Sequence, residues 1–219
     1  MVVTDSHPAR TERVTAELRR EFGDRVTGYP MDVTDRLAIT DVLTTVARTH
    51  GTVDLVVNNA AVNAMGQIFD YDPEDWDRSI EVNLTGPWNL CRLAMPGMRS
   101  SGRGIILNIS SVAPDMGGPV GEGVYAVTKG GLNVLTRMCA LEGAPHGIRS
   151  NTLAMGVVTG TKWVDANPQV TEPVLDATPL GRHADCDDIV EAALFLCSER
   201  SRHVTGEILC VCGGFVMRP

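Results

Sequence analysis

The chain has 219 residues, inside the single-domain range and long enough to bury one large core. Hydrophobic residues make up 43% and charged residues 21%, and no apolar run approaches the roughly 18 residues of a membrane span. The formal charge of −8 contains no basic cluster, which argues against nucleic acid as a partner because phosphate binding draws on Lys and Arg.

In chain order, Met1 to Thr4 reads as a short β-branched strand closed by Asp5, and Ser6-His7-Pro8 turns into a helical pattern. Asp35 precedes Leu37, Ile39, Val42, Leu43 and Val46, an apolar stripe at helical spacing. Val53 to Val57 is a strand-like run. Asp72-Pro73-Glu74 then combines an N-cap, a first-turn proline and an acid beside the positive helix end. Gly104 to Ile109, Ile148 to Leu153 and Ile208 to Cys212 are further near-continuous apolar runs, as expected of strands covered on both faces. Between them lie a helix around Tyr125 (Val124, Val127, Leu132, Leu135, Met138, Leu141) and another led by Asp185 to Asp188. Strand and helix alternate without a linker or repeat. The pattern predicts one α/β domain with a doubly wound parallel sheet.

Six cysteines (Cys91, Cys139, Cys186, Cys197, Cys210, Cys212) are scattered without a CxxC pair and read as reduced thiols of a cytoplasmic protein. Cys210 and Cys212 share a strand face, but no His or carboxylate stands at ligand spacing, so no metal is expected.

Ligands of such sheets bind beyond the carboxyl ends of the strands. Asn58-Asn59-Ala60-Ala61, Ser110-Ser111 and Met155-Gly156 all follow apolar runs. Tyr125 and Lys129 are one helical turn apart on one face. A phenol is a poor base at neutral pH, with a pKa near ~10. An ammonium about 4 Å away at an effective dielectric of about 20 favours phenolate by roughly 4 kcal/mol, or about three pKa units. The pair is therefore expected to poise Tyr125 for proton exchange with an alcohol or carbonyl. Ser111, 14 residues upstream, offers a hydroxyl to the same oxygen. Asn83 interrupts an apolar helical stretch, where an amide wants a specific partner, either structural or functional.

Asn58-Asn59-Ala60, Asn83, Ser111, Tyr125-x-x-x-Lys129 and Met155-Gly156, in this order and spacing, resemble the short-chain dehydrogenase/reductase family. The likeness runs the length of the chain and includes Asp32-Val33-Thr34-Asp35, Pro179-Leu180-Gly181-Arg182 and Val204-Thr205-Gly206. It implies a Rossmann-like sheet and a catalytic tetrad, with Tyr125 as general acid/base and Ser111 holding the substrate oxygen. Lys129 would lower the tyrosine pKa and bond the nicotinamide ribose, and Asn83 would anchor a relay water. Asp32 and Val33 would border the adenine, Asn59, Ala60 and Ala61 the adenosine ribose, and the backbone at Gly156 and Val158 the nicotinamide. The substrate would be a small secondary alcohol or ketone, and the assembly a homo-tetramer or homo-dimer.

Several positions depart from the family pattern: Met155 stands for a proline, Gly160 for a threonine and Cys212 for an aspartate. Gly130-Gly131 inside the catalytic helix costs up to about 1 kcal/mol each against alanine, and close packing, including across a subunit interface, would explain them. Gly121-Glu-Gly123-Val-Tyr-Ala126 fits G-x-G-x-x-A but follows a long loop, so it is expected to wall the substrate pocket instead. Trp163 to Thr178 is expected to form a lid, with Trp163, Val164, Val170, Val174 and Leu175 lining a partly apolar pocket.

Asp5 matches the acid that closes the second strand of such folds, bonds the ribose hydroxyls and favours NAD over NADP. Its alternative role is to cap the turn before Pro8. On the first reading Met1 to Asp5 is the second strand, and a first strand, glycine-rich turn and helix of roughly 25 to 30 residues are missing from the chain. That expectation carries a second functional reading, a non-catalytic relative that associates with longer family members.

Overall fold

Three helices begin where an aspartate caps them. In the computed structural model, which describes residues 1–118 and 121–217 (backbone only at 162 and 163), Asp35 accepts from the amides of Leu37 and Ala38 at the head of α2 (Arg36–His50). Asp72 accepts from Glu74 at the head of α3 (Pro73–Ile80), and Asp185 and Asp188 form a reciprocal capping box at α8 (Cys186–Leu196). These starts were legible because a cap is a contact over two or three residues.

The strands are β1 (Val2–Asp5), β2 (Thr27–Pro30), β3 (Leu55–Asn58), β4 (Gly104–Ser111), β5 (Ile148–Met155) and β6 (Ile208–Val211). Every pairing is parallel, and helices connect the strands. The remaining helices are α1 (Pro8–Phe22), α4 (Gly86–Ser101), α5 (Gly123–Gly143), α6 (Lys162–Ala166) and α7 (Pro168–Asp176). This is a single-domain, Rossmann-like α/β fold.

The strands form two sheets rather than one. β1 pairs only with β2, whereas β3-β4-β5-β6 run side by side. The edges of β1 and β3 away from these partners carry no strand among the described residues. β2 escapes sequence reading because Thr-Gly-Tyr-Pro has neither an apolar run nor clean alternation.

Within the larger sheet, alternation sends residues to opposite layers. Ile106 and Ile148 pack with Cys91, Met98, Leu132 and Leu135 of α4 and α5. Leu107, Ile109 and Leu153 pack on the other face against Leu196 of α8. The α5 face also buries a polar ladder: Asn58 Nδ2 donates to Asn108 Oδ1 at 2.7 Å, and Asn108 Nδ2 donates to Thr136 Oγ1 at 2.7 Å. The Thr136 and Thr152 hydroxyls pair at 2.6 Å. This ladder ties β3, β4 and β5 to α5, because a slip of one residue would strand every member unpaired.

One of the two helix glycines is explained within the chain. A Cβ on Gly131 would stand 2.9 Å from Leu84 Cδ2, whereas at Gly130 the nearest atom is at 3.7 Å, ordinary contact. The close approach at Gly131 is to the turn preceding α4.

Candidate active site

α5 is pegged to the sheet at its second turn. Lys129, 2% exposed, donates from Nζ to the Ile109 carbonyl at 2.8 Å, and Ser110 Oγ donates to the Lys129 carbonyl at 3.3 Å. Tyr125, one turn earlier, is thereby held at the carboxyl end of β4, where Ser111 is the last strand residue and pairs in register with Met155. The Ser111 hydroxyl accepts from the Ala113 amide at 3.1 Å, which leaves its own hydrogen for a ligand.

Two cavities converge here. One, of 400 Å³, is lined by Ser111, Tyr125, Met155, Gly156, Val158 and the apolar residues Val164, Val170 and Val174. Leu175 is not among its described lining residues, and the Trp163 side chain lies outside what the structure describes. The other, of 450 Å³, lies at the carboxyl ends of β1 and β3 and is lined by Asp5, Asp32, Val33, Asn59, Ala60 and Ala61. Ala61 and Val62 line both, so the cavities meet along that loop. Every predicted site residue but Asn83 and Lys129 borders one cavity or the other.

Asn83 acts from behind. It sits in a π-helical turn, Glu81–Thr85, between α3 and α4 and is fully buried. Its Oδ1 accepts from the Val62 amide at 2.8 Å, and Nδ2 donates to the Val62 carbonyl at 2.8 Å and to Thr128 Oγ1 at 3.1 Å. Both amide hydrogens are thus taken by protein, and the side chain clamps the loop where the cavities join. A π-turn at such a place is a common functional device.

The electrostatics correct one expectation. Tyr125 is not drawn toward neutrality; burial, and then the Glu122 carboxylate, push its phenol up to about 12. Burial also lowers Lys129 to about 8. Lys129 Nζ lies over the tyrosine ring, 5.4 Å from its centre, and aims its hydrogen bond at Ile109 rather than at the phenol. Desolvation acts on both groups, and Coulomb attraction between residues four apart takes no account of it.

At the far end, the Asp5 carboxylate accepts from the His7 amide at 2.8 Å and from Arg10 at 3.0 Å. Partial burial works to raise it, but the His7 amide and Arg10 outweigh that and hold it below the usual carboxylate range. The turn-capping role is therefore present, and Asp5 still lines the cavity. The amide of Thr34, against burial and helped by the Thr34 hydroxyl and Arg78, likewise holds Asp32 low. The expected wall from Gly121 to Ala126 does contribute Glu122 and Tyr125 to this cavity, although the acid itself was not singled out, and Asn63 carried no local signal.

A family model described as enoyl-(acyl carrier protein) reductase matches residues 1–216. The chain belongs to the short-chain dehydrogenase/reductase family. Among curated members, it is 34% identical over 193 residues to the 3-oxoacyl-(acyl-carrier-protein) reductase of Thermotoga maritima, covering 88% of this chain and 78% of that protein. It is 40% identical over 172 residues to the L-xylulose reductase of Mesocricetus auratus, covering 76% of this chain and 69% of that one. Among solved members, a gluconate 5-dehydrogenase from Burkholderia cenocepacia in complex with NADP and tartrate superposes with a TM-score of 0.92 at 28% identity, over 98% of this chain and 84% of that one.

Proposed function

We propose that this short-chain dehydrogenase/reductase is a nicotinamide-dependent oxidoreductase that interconverts a secondary alcohol and a ketone, with NAD(H) as its cofactor. The observation that carries the reading is the junction of the two cavities at Ala61–Val62, with Tyr125 and Ser111 on one side and Asp5 and Asp32 on the other. The second cavity fits an adenosine: it has acids at the end of β1 and after β2, and the exposed Asn59-Ala60-Ala61 along one wall. Asp5 favours ribose hydroxyls and repels a 2′-phosphate.

When bound, the nicotinamide supplies or accepts the hydride. Tyr125 Oη, kept protonated, gives its proton to the substrate oxygen in carbonyl reduction. Ser111 Oγ donates a second hydrogen bond to that oxygen as charge develops on it. Lys129 would restrain the phenol through its place over the ring. Asn83 fixes the Val62 loop, and any relay water would be held by its remaining acceptor capacity. The exposed Val127, Val134, Met138 and Leu141 of α5 support a homo-oligomer. The scattered thiols suit the cytoplasm.

The test is calorimetric binding of NADH and NADPH, followed by NADH oxidation with a ketone panel. NADH is expected to bind more tightly than NADPH, and Tyr125→Phe to lose roughly 10²–10⁴ in kcat/KM while binding NADH as before. Absence of binding by either cofactor would overturn the reading. It would favour a non-catalytic relative, for which the two unjoined sheets are the supporting observation.

A further inference from the structure

The wall of the Tyr125 cavity is mostly apolar, contributed by Val112, Met116, Val157, Val170, Val174 and Phe215 among others. Glu122 breaks that wall. It is 6% exposed, lines the cavity, and stands three residues before Tyr125. The ordinary reason for an acid at the start of a helix is capping, yet the Glu122 side chain accepts from none of the first amides of α5. No Lys or Arg forms an ion pair with it among the described residues.

Its hydrogen bond comes from a different part of the chain. Asn63 Nδ2, on the loop after β3, donates to Glu122 Oε1 at 2.9 Å, while Asn63 Oδ1 is buried without a hydrogen-bond partner. A carboxylate has about four acceptor sites, and one amide hydrogen leaves most of them open. Burying a charge so sparsely partnered is costly unless something else satisfies it. Burial accordingly pushes the Glu122 carboxyl up, and Asn63 offsets this only in part. The cavity therefore contains a cluster of unfilled acceptors beside the phenol, and what fits it is a hydrogen-bond donor carried by the ligand.

We propose that Glu122 and Asn63 form a specificity-determining pair that accepts a hydrogen bond from a substrate hydroxyl close to the reacting carbon. The pair selects α-hydroxy ketones and vicinal diols over simple ketones and alcohols. The inference rests on the oxidoreductase reading of the same cavity. Residues one helical turn apart place their Cβ atoms about 5–6 Å from each other, so a substrate oxygen at Tyr125 leaves a neighbouring hydroxyl within reach of Glu122. A carboxylate or phosphate at that position would meet Glu122 as a like charge.

The test compares kcat/KM for 2-hydroxycyclohexanone and cyclohexanone with NADH. Glu122 also opposes ionisation of Tyr125, but both ketones meet the same phenol, so that effect cancels in the ratio. The wild type is expected to prefer the hydroxy ketone by about tenfold or more, the effect of one hydrogen bond to a charged group. Glu122→Leu should bring the ratio close to one, whereas Glu122→Gln, which retains an acceptor, keeps part of the preference. Cyclohexane-1,2-diol should also inhibit more strongly than cyclohexanol or 2-aminocyclohexanol. An unchanged ratio in Glu122→Leu, with both ketones still reduced, sinks the pair's role and leaves the oxidoreductase reading standing. Stronger inhibition by the amino alcohol would reassign the site to a cationic donor. If the wild type reduces neither these two nor any ketone of the panel, the oxidoreductase reading falls and this inference falls with it.

Discussion

β1 and β2 are four residues each and none of their residues is fully buried, whereas β4 and β5 are eight residues each and mostly buried. The helices over them differ in the same way. α1 buries only Thr11 and Thr15, while α5 buries Leu132, Leu135, Cys139 and Ala140 along with the polar side chains that peg it to the sheet. The candidate site draws on both regions, with Asp5 and Asp32 from the thin one and Ser111, Tyr125 and Met155 from the thick one. Ser111, Tyr125 and Met155 are set in the more deeply buried part of the molecule. Asp5 and Asp32, at the end proposed to take the nucleotide, are set where apolar burial is slight and local opening is cheapest. Any ligand that bridges the two cavities therefore stabilises the thin region most.

The contrast can be broken most forcefully in the core. Leu153→Ala empties a fully buried position between β5 and α8 and should cost about 2–5 kcal/mol in urea unfolding. Val3→Ala, on a half-buried strand of the thin region, should cost less than about 1.5 kcal/mol. Similar losses at the two positions would show that the thin sheet is as tightly integrated as the thick one.

A second test concerns charge within the thick region. Burial lowers Lys129 to about 8 from 10.5, so the folded state carries the full cost of a desolvated ammonium below pH 8. That cost declines as pH rises from 8 toward 10.5, because there the unfolded chain binds the extra proton. Tyr125 acts with the opposite sign, and its contribution is lost as pH rises from 10 toward about 12. Lys129→Met should therefore gain about 2 kcal/mol at pH 7, net of the Ile109 hydrogen bond, and remove the rise in stability between pH 8 and 10. The same variant should be nearly inactive. Destabilisation at pH 7 would contradict the account.

The smallest effect is expected at a helix cap. Asp35→Ala removes the cap of α2 and should cost about 1 kcal/mol. By amide hydrogen exchange, that loss should be greatest in α2, whose Leu43 packs against the core of the larger sheet, and leave β1 and β2 untouched. Equal acceleration everywhere would mean that the two regions open as one unit.

What could be read in the chain beforehand follows the same division. β4, β5 and the caps at Asp35, Asp72 and Asp185 rest on periodicity and on contacts over a few residues. β2 could not be read, because its pairing with β1 rather than its composition makes it a strand. Among the residues lining the two cavities, Asp5, Asn59, Ala60, Ala61, Ser111, Met155 and Gly156 were legible as strand-end residues. The pairing of Glu122 with Asn63 was not, nor was the clamp that Asn83 places on Val62.

By itself the sequence determined the alternation of strand and helix and the presence of Ser111, Tyr125 and Lys129 at one end of the sheet. Both follow from backbone geometry over a few residues. Only the tertiary structure decided that β1 and β3 stay unpaired with each other, and that Glu122 meets a residue fifty-nine positions away. It alone decided that Tyr125 is pushed up instead of down. Strand pairing, burial and local dielectric are set by distant parts of the chain packed around a group, and no short window of sequence contains them.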